Sequence, residues 1–203
     1  MKALKSWPVQ VRRIILLSAL AALTGCANMY VDTNTKDVDA AQFKKPVLLH
    51  STQVLFEFQT KGVLNARATA GLKARVIDQI KSSGLFSEVS DTPVSSGALI
   101  SIALNNVPLS DDAFSKGFVT GLTFGLAGNQ VSDGYVCIAR YTSGIDTQPI
   151  VKQARHAIHT TVGVSSAPAN GIKAENLASA VTIMVRQIVS NVMNDLSHDA
   201  AFK

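Results

Sequence analysis

The sequence predicts an α+β protein, a two-layer sandwich in which a mainly antiparallel sheet carries two helices on one face. Several stretches alternate apolar and polar residues with a period of two, which is typical of strands. Two longer stretches repeat apolar residues with a period near 3.6, which is typical of amphipathic helices. The predicted order, β-α-β-β-β-α, lacks the regular βαβ repetition of parallel-sheet folds, so it favours antiparallel pairing.

The first predicted strand and helix follow one another closely. Residues 47–59 are rich in β-branched and aromatic side chains, and they predict one strand or two short ones. An apolar stripe predicts a helix over residues 64–83. Asn65 can cap its first turn, and Gly84 stands where a left-handed C-cap is required.

Three further strands and a second helix complete the predicted domain. Alternation predicts strands over 98–107, 134–144 and 150–164, the last two joined as a hairpin or meander. Residues 172–199 predict the second helix. The apolar residues of its predicted buried stripe are Leu177, Val181, Met184, Ile188, Val192 and Leu196.

The first 25 residues are predicted to be a cleaved signal peptide. Four basic residues precede Ile14–Leu23, an uninterrupted run of ten residues, mostly large apolar or alanine, with one serine. Such a run is too short to span a bilayer as a helix and is typical of the apolar part of a signal peptide. The segment therefore makes no contribution to the predicted fold.

The four residues Leu23-Thr24-Gly25-Cys26 resemble the lipobox of bacterial lipoproteins. The resemblance implies cleavage before Cys26, a diacyl modification of its thiol with fatty acids such as palmitate, and acylation of the new amino group. Each buried methylene contributes about 0.8 kcal/mol, so several chains on one residue form a stable membrane anchor. Because no Asp follows Cys26, the resemblance implies the outer membrane of the cell envelope, on its periplasmic side.

The remaining chain is predicted to comprise a tether and one domain. Residues 26–45 are mostly polar and read as the lipidated cysteine with its tether, and residues 46–203 as a single α+β domain. Four of the 19 basic residues lie in the signal peptide, so 15 basic and 14 acidic residues remain, a formal charge of +1. This near-neutral balance argues against nucleic-acid binding.

An apolar, glycine-spaced insertion over residues 117–128, GFVTGLTFGLAG, is the most unusual segment of the chain. As a helix it would be about 18 Å long, too short for a bilayer core of about 30 Å. Three interpretations stay open: a buried crossover, an insertion into the membrane surface, or a face for a partner or a second copy. The residues predicted to make membrane or partner contacts are Gly117, Phe118, Gly121, Leu122, Phe124 and Gly125.

The sequence predicts no catalytic set, no cofactor and no metal site. His156 and His159 are three apart in a predicted strand, so they should point to opposite faces as exposed or singly bonded side chains. A hydrolase would require one of the histidines to meet Asp111 or Asp112 in a cleft. Cys137 lies in an alternating pattern and is predicted to be a small buried residue.

The order of elements behind an N-terminal cysteine is similar to that of small periplasm-facing lipoproteins. Examples are the lipopolysaccharide-assembly lipoprotein and the lipoprotein family of the curli secretion channel. The resemblance covers the order of elements only. The leading hypothesis is a non-enzymatic accessory or assembly factor of an envelope complex, held to the membrane through Cys26 and acting through an envelope protein or through self-association. The alternative is a lipid- or peptidoglycan-binding module with an apolar, phenylalanine-lined cleft between helices and sheet.

Overall fold

A computed structural model describes residues 27–108, 130–144, 147–163 and 166–203. The predicted α+β class is confirmed, with two helices and an eight-stranded, mostly antiparallel sheet in the described part of the chain. The strands are β1 (Ala27–Asp32), β2 (Ser51–Thr60), β3 (Val63–Leu64), β4 (Glu88–Ser90), β5 (Leu99–Pro108), β6 (Gln130–Thr142), β7 (Ile150–Val162) and β8 (Gly171–Ala174). The helices are α1 (Ala66–Ser82) and α2 (Leu177–Ser197).

The strand order in the sheet is β3-β2-β5-β6-β7-β1-β8, and the short β4 also pairs with β2. Strand β2 runs parallel to β4 and β5, whereas all other pairs are antiparallel. The long central strands β5, β6 and β7 pair along most of their length, so they form a continuous platform for the helices.

One face of the sheet carries the core. Alternate residues of the central strands, such as Val54, Ile100 and Cys137, are fully buried there. They join one apolar cluster with helix residues such as Met184 and Ile188. Because strand side chains alternate between the two faces, the neighbours of these residues along each strand lie on the second face.

Strand β1 corrects the predicted tether. Residues 27–32 pair with both β7 and β8, and Val31 lies in the core with 3% of its surface exposed. The remainder of the segment is also fastened to the body, because the Val38 amide donates to Ser190 Oγ at 3.0 Å and the Lys44 amide to Ser197 Oγ at 3.1 Å. The polar composition of residues 27–45 therefore belongs to a strand and a packed connection, not to a free linker.

Helix α1 begins and ends close to the predicted bounds. Asn65 Oδ1 accepts a hydrogen bond from the Ala68 amide at 3.0 Å, as expected of an N-cap. Gly84 has φ of +64°, the left-handed conformation that favours glycine after a helix. Val76 and Ile80 bury the helix against the sheet, whereas Leu64, the first residue of the predicted helix, lies in β3 and is 56% exposed.

Helix α2 begins later than the sequence predicts. Residues 171–174 form β8 on the edge of the sheet, and Asn176 caps the helix by accepting from the Ser179 amide at 2.9 Å. Leu177, predicted to be buried, is the first residue of the helix and is 54% exposed. Among the described residues, no helix is both long and apolar enough to cross a lipid bilayer.

Candidate functional site

The residues singled out for membrane or partner contact lie outside the described residues. These are Gly117, Phe118, Gly121, Leu122, Phe124 and Gly125, together with the predicted lipidation site Cys26. Their flanking residues are informative nevertheless. Ala27, directly after Cys26, begins β1, while Pro108 ends β5 and Gln130 begins β6 on either side of the insertion.

These flanking residues all lie at one end of the sheet. Ala27 pairs with Val162 at the end of β7, and Gln130 pairs with Thr161 one residue earlier. In β5, Pro108 pairs with Asp133, close to the start of β6. We call this end the anchor pole, because it contains Ala27, the residue that follows the predicted lipidation site Cys26. The opposite end, where β2, β5 and β7 begin and β6 ends, is the distal pole.

The second face of the sheet holds a buried polar array near the anchor pole, formed by Asp32, Ser132 and His159. Ser132 lies opposite His159 in the β6–β7 register, and Asp32 follows two residues after Tyr30, which faces His159 across the β1–β7 pair. All three side chains are at most 3% exposed. The array therefore links three neighbouring strands on a face that no described helix covers.

The hydrogen bonds of the array meet at the His159 ring. Asp32 Oδ2 lies 3.3 Å from His159 Nε2, and Ser132 Oγ lies 2.7 Å from His159 Nδ1. Because a carboxylate only accepts, His159 Nε2 donates to Asp32, while Nδ1 is the ring atom that contacts the Ser132 hydroxyl. Asp32 Oδ1 also accepts the Asn34 amide at 2.7 Å, which fastens the turn after β1.

This array differs from the catalytic Ser–His–Asp arrangement in two respects. In such hydrolases, His Nε2 receives the serine proton and Nδ1 donates to the carboxylate, which is the reverse of the bonds here. A nucleophile must also reach a substrate, whereas Ser132 is only 3% exposed. We interpret the array as a polar tie between β1, β6 and β7, in which each buried polar group gains a partner.

His156 forms a second buried polar contact, on the helix-bearing face. Its Nε2 lies 2.7 Å from Gln187 Oε1 of α2, and its Nδ1 accepts the Ala157 amide at 2.8 Å. Burial lowers the pKa of His156, and His159 lowers it further. The hydrogen bonds to Gln187 and Ala157 and the charge of Asp32 oppose this effect in part. The imidazole therefore favours its neutral form, in which it joins sheet and helix.

The predicted opposite orientation of His156 and His159 is correct, but the prediction that they are exposed or singly bonded is wrong, because each ring is buried and has two hydrogen-bonding partners. His156 is fully buried and His159 is 2% exposed. Tertiary partners on α2 and β1 provide the hydrogen bonds that an isolated strand would lack. His50 precedes β2 at the distal pole, so the structure does not bring it to His159. Asp111 and Asp112 lie outside the described residues.

A smaller polar group sits on the helix-bearing face at the anchor pole. Asn106 pairs with Tyr135 across β5 and β6, and Asp133 lies two residues before Tyr135. Burial raises the pKa of Asp133, and the Asn106 side chain partly counters it. Burial and the charge of Asp133 raise the pKa of Tyr135 well above its ordinary value. The tyrosine therefore stays a neutral hydrogen-bonding group.

The thiol of Cys137 lies within the apolar core. Cys137 is fully buried, and burial raises the pKa of its thiol to about 12, so the reactive thiolate is disfavoured. Over the ranges that the structure describes, no three His, Cys, Asp or Glu residues gather as a metal site would require. Cys137 thus behaves as the small buried residue that the alternating pattern predicts.

The described residues do not show the phenylalanine-lined cleft that a lipid-binding module would require. Five of the phenylalanines are buried in the core: Phe43, Phe56, Phe58, Phe86 and Phe202. A shallow groove of about 510 Å³ lies between α1 and β4. Its walls include Lys73, Lys81 and Asp91, and a Lys73–Asp91 ion pair at 3.2 Å crosses it.

Exposed large apolar side chains of the described residues gather at both poles. Those at the anchor pole are Val63, Leu64, Val131, Val162 and Leu177. Those at the distal pole are Val47, Leu48, Leu49 and Val151. Of the exposed large apolar residues that the structure describes, Leu55 and Ile172 lie between the poles and the others lie at the two ends of the sheet.

The chain has weak structural similarity to several solved proteins. No protein-family model and no curated protein sequence matches it. It is similar to the PelC dodecamer of Paraburkholderia phytofirmans, with 12% identity, a TM-score of 0.33, and coverage of 84% of this chain and 98% of that one. A proposed lipoprotein of Caulobacter crescentus shows 8% identity and a TM-score of 0.29, over 70% of this chain and 84% of that one.

A third similarity is to a proposed neuraminyllactose-binding hemagglutinin homologue from Helicobacter pylori. Identity is 14% and the TM-score is 0.37, over 78% of this chain and 87% of the other. All these TM-scores are low, so the similarities do not bear on what this chain binds or assembles with.

Proposed function

We propose that this protein is a lipid-anchored, periplasm-facing outer-membrane protein that serves an envelope assembly as an accessory factor. It acts through protein contacts, without catalysis and without a cofactor. The lipobox at residues 23–26 supports the anchor, and β1 begins directly after it. The body is thereby held with its anchor pole at the membrane, and its distal pole is directed into the periplasm.

The exposed aliphatic run Val47-Leu48-Leu49 at the distal pole carries the proposal of a protein contact. These side chains are 105%, 63% and 43% exposed. Isolated exposed apolar residues are ordinary, but three consecutive aliphatic residues form a small continuous apolar surface. A surface of this kind, located away from the membrane, fits an apolar patch on another protein.

The run is also held in place at both ends. On one side, Lys45 donates through Nζ to the Ser83 carbonyl, and the Lys44 amide donates to Ser197. On the other side, the Ser87 amide donates to the His50 carbonyl at 3.0 Å. A fastened run loses less conformational entropy on binding than a free one, so its apolar surface is well suited to docking.

Site-specific photo-crosslinking in cells tests the contact. A benzophenone amino acid at Leu48 is compared with the same group at Ile172, because both positions are 63% exposed and Ile172 lies on edge strand β8. We expect a discrete protein adduct from Leu48 that is absent from Ile172. An adduct of twice the chain mass identifies self-association, and another mass identifies a different envelope protein. Equal adduct patterns at both positions, or none at Leu48, contradict the proposal.

Metabolic labelling with an alkyne analogue of palmitate tests the anchor separately. The wild-type chain should incorporate the label and sediment with outer membranes, because several acyl chains bind a bilayer stably. The Cys26→Ser variant, which lacks the acceptor thiol, should incorporate none. Labelling of both proteins, or of neither, would show that Cys26 is not the anchor.

A further inference from the structure

We infer that the anchor pole is itself a bilayer-contact surface, in which exposed side chains of the folded body enter the lipid interface beside the acylated cysteine. The inference rests on the proposed lipid anchor and extends it from one residue to a face of the domain. The occupant is the phospholipid surface in which the acyl chains of Cys26 are embedded.

The first step is the short distance between anchor and sheet. Ala27 pairs with Val162, so the sheet begins at the residue that follows Cys26. Cys26 is covalently bonded to Ala27, so no linker residue separates the predicted acylation site from β1. A flexible tether would allow the domain to move away from the membrane, but this geometry keeps the anchor pole at the lipid headgroups.

The second step is the composition of that end. Val131, Val162 and Leu177 are 61%, 45% and 54% exposed, and they belong to β6, β7 and α2 respectively. Val63 and Leu64 of β3 add 70% and 56% exposed side chains at the same end. Apolar side chains held at a headgroup boundary gain free energy by entering it, as the apolar faces of interfacial helices do.

The third step is the direction of the helices. Both α1 and α2 begin at the anchor pole, each capped by an asparagine, Asn65 and Asn176. The positive ends of both helix dipoles therefore face the bilayer. Lys61, in the turn between β2 and β3, stands at the same pole. The positive dipole ends and the Lys61 ammonium group favour contact with a surface that contains anionic phospholipids.

Depth measurement on the acylated full chain tests the inference. Nitroxide labels are placed on cysteines introduced at Val162 and Leu177, with controls at Val151 and Leu48. Val151 shares strand β7 with Val162 and is 50% exposed, and Leu48 is 63% exposed, but both controls lie at the distal pole. Cys137 is fully buried and does not compete for the label.

The proteins are reconstituted into vesicles of phosphatidylethanolamine and phosphatidylglycerol, and each label's accessibility to oxygen and to a water-soluble nickel complex is measured. Labels at Val162 and Leu177 should lie about 5–10 Å inside the headgroup boundary, with raised oxygen and lowered nickel accessibility. Labels at Val151 and Leu48 should remain in water. Circular dichroism confirms that each labelled protein retains the wild-type fold.

Three results would overturn the inference, and they differ from one another. If the protein floats with the vesicles but the labels at Val162 and Leu177 are as accessible as in water, the proposed anchor stands and the proposed contact surface is wrong. Lowered accessibility to both oxygen and nickel indicates burial against another protein copy. If the wild-type acylated protein does not float with vesicles, the proposed anchor itself fails and the contact surface fails with it.

Discussion

Replacing Val31 with alanine tests whether residues 27–32 are part of the folded domain. Val31 is 3% exposed and belongs to the core between sheet and helices. The substitution removes two methyl groups, about 1.6 kcal/mol of burial, and incomplete collapse of the cavity brings the expected loss to about 2 kcal/mol. For a domain of this size, that loss lowers the Tm by about 4–8 °C.

The matched control is Val47→Ala, the same change at a valine that is 105% exposed. Its Tm should stay within about 1 °C of wild type, since surface substitutions rarely exceed about 0.5 kcal/mol. Thermal unfolding of the detergent-solubilised acylated protein is followed by far-ultraviolet circular dichroism. If Val31→Ala and Val47→Ala unfold at the same temperature, β1 does not contribute to the domain and the segment is a tether after all.

Three further predictions concern the buried polar groups. Asp32→Ala should lower the free energy of unfolding in urea by about 3 kcal/mol, because it removes the buried carboxylate that accepts from the His159 ring. The control is Asp91→Ala, which should lower the free energy of unfolding by less than about 1 kcal/mol because the Asp91 side chain is 56% exposed. The pKa of His156 is lowered from 6.5 in the folded protein, so the unfolded chain binds the extra proton. The contribution of His156 to stability is therefore complete above about pH 6.5 and is lost as pH decreases below it. His156→Gln should make the decline of stability between about pH 7 and pH 5 shallower, and an identical slope would contradict this. Cys137 should resist maleimide at neutral pH in the native protein and react fully in urea, because burial raises its thiol pKa to about 12; rapid native labelling would mean that the strand opens.

Elements with strong local signals were predicted well. Helix α1 spans 66–82 against a predicted 64–83, and β5 spans 99–108 against a predicted 98–107. The 3.6-residue stripe, the Asn65 cap and the alternation of β5 are all properties of neighbouring residues. Such signals are readable in one chain because the groups that produce them lie within a few positions of one another.

Strands β1 and β8 were not predicted because their stability comes from distant partners. Residues 27–32 gain their hydrogen bonds from β7, more than 120 positions along the chain, and from β8. Residues 172–174 were assigned to the last helix, whereas they form β8 together with Gly171. A short strand with polar neighbours resembles a linker until the sheet that accepts it is known.

The buried polar array had no signal that spacing could reveal. Ser132 and His159 are 27 positions apart, and Asp32 and His159 are 127 positions apart. The alternation of Asn28, Tyr30 and Asp32 was the one available hint, since it places an aspartate on the same face as an aromatic residue. Only the pairing of β1 with β7 shows that Asp32 lies beside His159 on the second face of the sheet.

The α+β class and the two helices could be predicted from the sequence because each depends on neighbouring residues, and the resemblance of residues 23–26 to a lipobox is likewise local. Only the tertiary structure shows that β1, which begins at Ala27, pairs with β7 in the sheet. This arrangement places Val162 and Leu177 at the end of the sheet beside the predicted anchor, and Val47 at the opposite pole. Strand register sets these positions, and register depends on which distant strands bury each other's apolar side chains and satisfy each other's backbone hydrogen bonds.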